Sequence, residues 1–187
     1  EIDLEKLFAD SLSGNLDTSE HYQKKIGIIP GEMRAGGDMA IDAEEDLIYF
    51  RIGKEEAVKH IKPGTKIEEN VGPRNMGAGP TGIASMNLKT GEIEIVTAVG
   101  FQMGHIQTNP WVSRELVFCW ETGGKSPQRM WSVKVGEEPK VLYPEANYEW
   151  VTHEAIITKD EVAFAVMGHR KPGTDDEWGP SGSREKP

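Results

Sequence analysis

Groups able to do acid–base, metal and anion chemistry crowd into residues 104–154. His105 and His153 stand 153 − 105 = 48 residues apart. A neutral imidazole near physiological pH serves as a general base or as a ligand to a transition metal. Gln107 accompanies the first histidine and Glu154 the second. Glu121 follows the apolar run Val117-Phe118-Cys119-Trp120 and precedes Thr122-Gly123-Gly124-Lys125. That glycine pair lets backbone come close to a ligand. Lys125 and Arg129 bracket a loop suited to carboxylates, and Arg is the better two-pronged partner. Each group has a plainer alternative: a structural histidine, a solvated loop with a surface ion pair, and tryptophans (Trp120, Trp131, Trp150) that are core rather than sugar platforms. Cys119 is the only cysteine. It excludes an internal disulfide and reads as a small buried hydrophobe.

The elements that must position these groups are strands. Residues 1–36 hold one loosely helical stretch (Ile2, Leu4, Leu7, Phe8, Leu12) after a cap at Asp3, ended by Ser13-Gly14-Asn15. Thereafter the pattern is run, polar turn, run. Met39–Ile52, Ile106–Glu121 and Glu154–Gly168 repeat it, with turns at 44–46, 113–115 and 159–161. Two further strands follow the second copy, at Met130–Val135 and Lys140–Leu142. Four strands per unit at a period of roughly 40–50 residues is the signature of a β-propeller blade. The expected organisation is an N-terminal segment (1–36), a blade over 37–103 with a long surface insertion at 53–80, a blade over 104–149, and a partial blade with a polar tail over 150–187. First strands of blades line the central channel, so His105 and His153 are expected to face one funnel. Propellers close with about 4–8 blades, and only two and a half to three are countable here. A piece of a larger propeller is therefore expected. Gly77-Ala78-Gly79-Pro80-Thr81-Gly82 spells GxGxxG, but a loop precedes it and a strand follows, so it is not read as a dinucleotide fingerprint.

Composition narrows the partners. A net charge of −10 argues against general nucleic-acid binding. It leaves room for an acidic ligand held by a local basic pocket. No stretch approaches the roughly 20 apolar residues of a membrane span. A cytoplasmic place is expected, with the periplasm left open.

At Gly104-His105, Phe118-Cys119 with Glu121, Arg129-Met130-Trp131 and Thr152-His153-Glu154 the chain resembles the oligogalacturonate lyase family, polysaccharide lyase family 22. The resemblance covers roughly residues 37–170. It implies a seven-bladed β-propeller that cleaves short pectic fragments by β-elimination with a divalent metal such as manganese (Mn²⁺). It places His105 on the histidine used in proton abstraction and His153 on a metal-binding histidine. The family's remaining ligands, a glutamine and two histidines of a His-Pro-His stretch, find no match before Pro187 and are expected beyond it. The family's arginine before the Gly-His motif has no counterpart at Thr81-Gly82-Ile83, and Arg74 is a poor substitute.

The chemistry agrees with that class. The C5 proton of a uronate lies α to a carboxylate and is weakly acidic. Removing it requires a base, here His105, and neutralisation of the charge that develops on the carboxylate by a cation. The substrate-side groups are then Gln107, Glu121, Lys125 and Arg129. The rate is expected to fall as imidazole protonates, near about 6.5. Two other classes compete: a non-catalytic propeller scaffold, and a glycoside hydrolase using Glu121 and Glu154, whose carboxyls would need to lie roughly 5–9.5 Å apart.

Overall fold

The computed structural model describes residues 1–69, 76–122, 126–146 and 149–168. Strands β1 (Met39–Ile41), β2 (Leu47–Ile52), β3 (Ala78–Asn87) and β4 (Ile93–Phe101) form the first sheet. Strands β5 (Met103–Thr108), β6 (Glu115–Trp120), β7 (Met130–Lys134) and β8 (Lys140–Val141) form the second. Strands β9 (Glu149–Thr158) and β10 (Glu161–Gly168) form the third. Every pairing is antiparallel and between chain neighbours. The fold is all-β with few helices, and among the described residues no sheet closes on itself.

The middle strands are apolar at nearly every position because each is buried on both faces. Alternate residues of a strand point to opposite faces. On β2, Leu47 and Tyr49 face the second sheet, where they join Ile83, Phe101, Met103, Leu116, Phe118, Trp120 and Val133. Phe50 and Ile52 face the other way, onto Met33, Ala57, Ala84 and Met86. On β6 the same split sends Leu116, Phe118 and Trp120 to the first sheet and Val117 toward Val151 of the third. The sheets therefore stack face to face in chain order.

Polar ties hold their ends in register. The buried Asp42 accepts from the Tyr49 hydroxyl (3.1 Å) and, across the sheet boundary, from Ser113 Oγ (2.6 Å) and the Arg114 backbone N–H (2.8 Å). Burial pushes its carboxyl up, yet the bonds from Ser113, Arg114, Glu44 and Tyr49 outweigh this and hold it below its ordinary range. Farther along, Asn109 Nδ2 donates to the Lys159 carbonyl of the third sheet at 2.8 Å.

The N-terminal helix α1 spans Leu4–Ser13. Asp3 caps it by accepting from the Lys6 N–H at 2.9 Å, and Gly14 ends it in the left-handed conformation.

The stretch expected as a surface insertion, 53–80, is mostly exposed over residues 53–69 and departs from the expectation at two places. A short helix, α2 (Lys54–Ala57), buries Ala57 in the core beside Met33 and Phe50. Strand β3 begins at Ala78, inside the supposed insertion. The glycines of GxGxxG serve strand packing: a Cβ on Gly79 would collide with the Gly100 carbonyl, and one on Gly82 with the Thr97 carbonyl. They let β3 lie close against β4, and no helix follows to bind a phosphate. Among the described residues no helix is long and apolar enough to cross a membrane.

Candidate active site

His105 and His153 occupy the same place in successive sheets, and a backbone irregularity puts them there. On β5–β6 the pairing jumps from Gly104↔Cys119 to Gln107↔Val117, three residues against two. On β9–β10 it jumps from Thr152↔Ala165 to Ala155↔Ala163, again three against two. Each is a β-bulge, a device that re-aims a side chain. The first residue of each bulge is the histidine, with φ of 52° at His105 and 55° at His153. Both lie in the left-handed region that L-residues avoid. Both side chains are exposed, although their chain neighbours Gly104, Ile106, Thr152 and Glu154 are buried.

The same superposition sets Glu154 opposite Ile106. The second sheet buries an isoleucine there, whereas the third buries a carboxylate with 1% of its side chain exposed. An ionised group is costly to bury without partners. Glu154 Oε1 lies 2.7 Å from His105 Nδ1. Arg129 Nη2, on a side chain only 3% exposed, lies 4.0 Å from Glu154 Oε1 and 3.6 Å from Glu121 Oε2. Glu121 Oε2 in turn lies 3.3 Å from His105 Nε2. Two carboxylates thus clasp one imidazole and one guanidinium. Gly104 makes room for this, because a Cβ there would press on Glu121 Cβ at 3.1 Å. Glu154 Oε2 and Arg129 Nε are buried with no hydrogen-bond partner among the described residues.

The charges set the protonation states. His105 is held above its ordinary value, first by the hydrogen bond to Glu154 and further by the charges of Glu154 and Glu121; partial burial and Arg129 oppose this. Burial pushes Glu154 up, but the bond from His105, its own backbone N–H and the Arg129 charge bring it below the usual carboxylate range. Burial drives the Cys119 thiol well above its ordinary value, so it stays protonated and is no nucleophile.

The residues singled out from the sequence are partly brought together. His105, Glu121 and Arg129 converge. Gln107 joins them indirectly: its Nε2 donates to the Glu154 carbonyl at 2.8 Å and so ties β5 to β9. Lys125 and Arg74 lie outside the described residues. Trp120 is core, its ring 4.9 Å from that of Phe101, and Trp131 packs on the same Phe101 at 5.3 Å. Trp120 is thus a core residue, and Trp131 is partly buried with one side of its ring packed on that core.

The donor atoms at the site form one cluster of a size that could surround a divalent ion. His105, Cys119 and Glu154 each bring one donor within 4.8 Å of the others. That trio does not suit a cation, because the thiol is protonated and the Arg129 guanidinium stands 3.5 Å from His105 Nδ1. His153 belongs to no group of three such donors among the described residues. It offers one nitrogen, short of the four ligands or more usual for a transition metal. Neither His153 nor that trio makes up a manganese site. Asp42, Glu44 and Asp46, at the turn between β1 and β2, also bring carboxylate oxygens within 4.8 Å of one another, and those of Asp42 already accept from Tyr49, Ser113 and Arg114.

The pairing of Glu154 with His105 escaped the sequence reading, which placed Glu154 beside His153. The signal was present in the repeat. A residue one step past the repeat length, at 154 − 105 = 49, falls beside the equivalent histidine when neighbouring first strands are adjacent.

No family model matches the chain, and no curated protein matches it. Solved structures do. The chain is similar to an oligogalacturonate lyase in complex with manganese, with a TM-score of 0.62 and 17% identity over 81% of this chain and 39% of that one. It is also similar to the oligogalacturonate lyase from Vibrio parahaemolyticus, with a TM-score of 0.63 and 18% identity over 82% of this chain and 40% of that one. The chain spans about two fifths of the length of either structure. At these identities the likeness is one of fold: the three stacked sheets are similar to part of an oligogalacturonate lyase.

Proposed function

We propose that this chain belongs to a carbon–oxygen lyase that cleaves oligogalacturonate, or a related uronic-acid oligosaccharide, by β-elimination in pectin breakdown. Its sheets are then blades of a β-propeller, seven-bladed when complete. The observation that carries the reading is the exposed His105, held between Glu154 and Glu121 beside a buried arginine.

In this reading His105 Nε2 takes the C5 proton of a uronate. The electron pair forms the C4–C5 double bond, the C4–O bond breaks, and the departing oxygen gains a proton. Arg129 supplies fixed positive charge for the carboxylate on which charge develops, an effect strengthened by burial. Glu121, 22% exposed, reaches the open side and accepts from sugar hydroxyls. Gln107 orders the backbone beneath, and Lys125 contributes a further cation for substrate carboxylates. His153 offers one donor to a divalent ion such as Mn²⁺, and no step above depends on it. The partner is an acidic oligosaccharide. Because Glu154 and Glu121 lower the acidity of the imidazolium, the free base forms at higher pH than an isolated histidine would require.

The hydrolase alternative is disfavoured by the same geometry. Glu154 is almost wholly enclosed and held ionised, so it can neither reach a glycosidic oxygen nor donate a proton to it. Incubating the intact protein with oligogalacturonate, with and without Mn²⁺, tests the proposal. An ultraviolet-absorbing unsaturated uronide supports it. New reducing ends without that chromophore favour hydrolysis, and binding without turnover favours a scaffold.

A further inference from the structure

We infer that Glu154 is a positioning residue that fixes the tautomer of His105 and makes Nε2 the reacting nitrogen. The inference rests on reading His105 as the base.

A neutral imidazole carries one proton, and its hydrogen-bond partners decide where. Two groups compete for Nδ1. Glu154 Oε1 lies at 2.7 Å and, when ionised, only accepts, which demands a proton on Nδ1. Arg129 Nη2 lies at 3.5 Å and only donates, which demands a lone pair there. The shorter, charge-assisted contact wins. Glu121 Oε2, 3.3 Å from Nε2, asks for a proton on that nitrogen, but its contact is the longer of the two carboxylate contacts. The neutral ring therefore keeps its proton on Nδ1 and its lone pair on Nε2. The ring is half exposed, with 48% of the side chain open.

Nothing about the fold requires a carboxylate at this place. The matching position in the second sheet holds Ile106, which fills the core. Glu154 instead keeps one oxygen, Oε2, without a hydrogen-bond partner among the described residues. A buried charge with an unused acceptor is a liability for stability. Its one short side-chain contact reaches across a sheet boundary to the histidine. Gln107, two residues after that histidine, holds the Glu154 backbone from the other side. The pair is therefore fixed at both members.

The tautomer of His105 is read directly by long-range proton–nitrogen NMR on the intact protein, at a pH where the ring is neutral. The wild-type protein is expected to carry the proton on Nδ1. An Nε2–H ring in the wild type overturns the inference without need of any variant. In Glu154→Gln the ring is expected to shift toward Nε2–H, and turnover of oligogalacturonate to fall about 10²-fold or more with KM little changed, as when a histidine loses its orienting carboxylate. A Glu154→Gln protein with the wild-type tautomer and wild-type turnover also overturns it. A shifted tautomer in a protein that eliminates nothing, before or after substitution, refutes the lyase reading and leaves the role of Glu154 in place.

Discussion

His105 and Glu154 are 49 residues apart in the chain and 2.7 Å apart in space, on first strands of adjacent sheets. Their contact joins an exposed ring to a carboxylate that solvent scarcely reaches. It makes each group's protonation part of the stability of the boundary between the second and third sheets.

That linkage has a definite sign. Folding lowers Glu154 from its ordinary value of 4.5, so its contribution is complete above that value and is lost as pH falls through the lowered one. Folding raises His105 from 6.5, so its contribution is complete below that value and is lost as pH rises through the raised one. The pair should stabilise most between these two ordinary values. Urea unfolding across pH should show the alkaline decline in the wild type and a flatter alkaline limb in His105→Gln. Parallel curves for the two proteins would contradict the pairing.

The bulge makes a separate prediction at His153. With φ at 55°, any residue bearing a Cβ is strained, and glycine is not. His153→Gly should be more stable than His153→Ala by about 1 kcal/mol. Denaturant midpoints compare them. An alanine variant at least as stable as the glycine variant would mean that the backbone there is ordinary.

Asp42 should matter for folding and not for chemistry. It gathers Tyr49, Ser113 and Arg114 at the far hairpin turns. Asp42→Ala leaves the buried Tyr49 hydroxyl and two part-buried donors without their charged partner and should cost about 2 kcal/mol, by the usual cost of losing hydrogen bonds to a charge. Thermal or urea unfolding measures it. A neutral result would show that water replaces the carboxylate freely.

Much of this arrangement was legible because it is local. Leu47-Ile48-Tyr49-Phe50, Leu116-Val117-Phe118-Cys119 and their polar turns announce paired strands, and Asp3 with Gly14 announces the ends of α1. What stayed hidden depends on neighbours. Asp42 looked like one more acidic turn residue, since its partners come from a turn about seventy positions later. Ala57 looked like surface, since the core that covers it is assembled from Met33, Phe50 and Ala84. Arg129 looked like an open ligand for carboxylates, yet Glu121 and Glu154 already engage it. The bulges were invisible because nothing in Gly-His-Ile or Thr-His-Glu marks a left-handed residue.

Among the described residues His153 has no companion ligands, so the isolated chain should not hold Mn²⁺ tightly through it. Calorimetric titration of the isolated chain is the check. Tight one-to-one binding abolished by His153→Ala would mean that further ligands lie within this chain.

The most direct test of the central claim is elimination by the intact protein carrying His105→Ala, followed in the ultraviolet across pH beside the wild type. The wild-type rate should rise with pH through a value above the ordinary 6.5, because Glu154 holds His105 protonated to higher pH. The variant should keep its fold and its affinity for the oligosaccharide, lose about 10²–10⁴-fold in turnover, and lose that pH dependence. A folded His105→Ala protein with wild-type turnover and an unchanged pH profile would remove His105 from the mechanism.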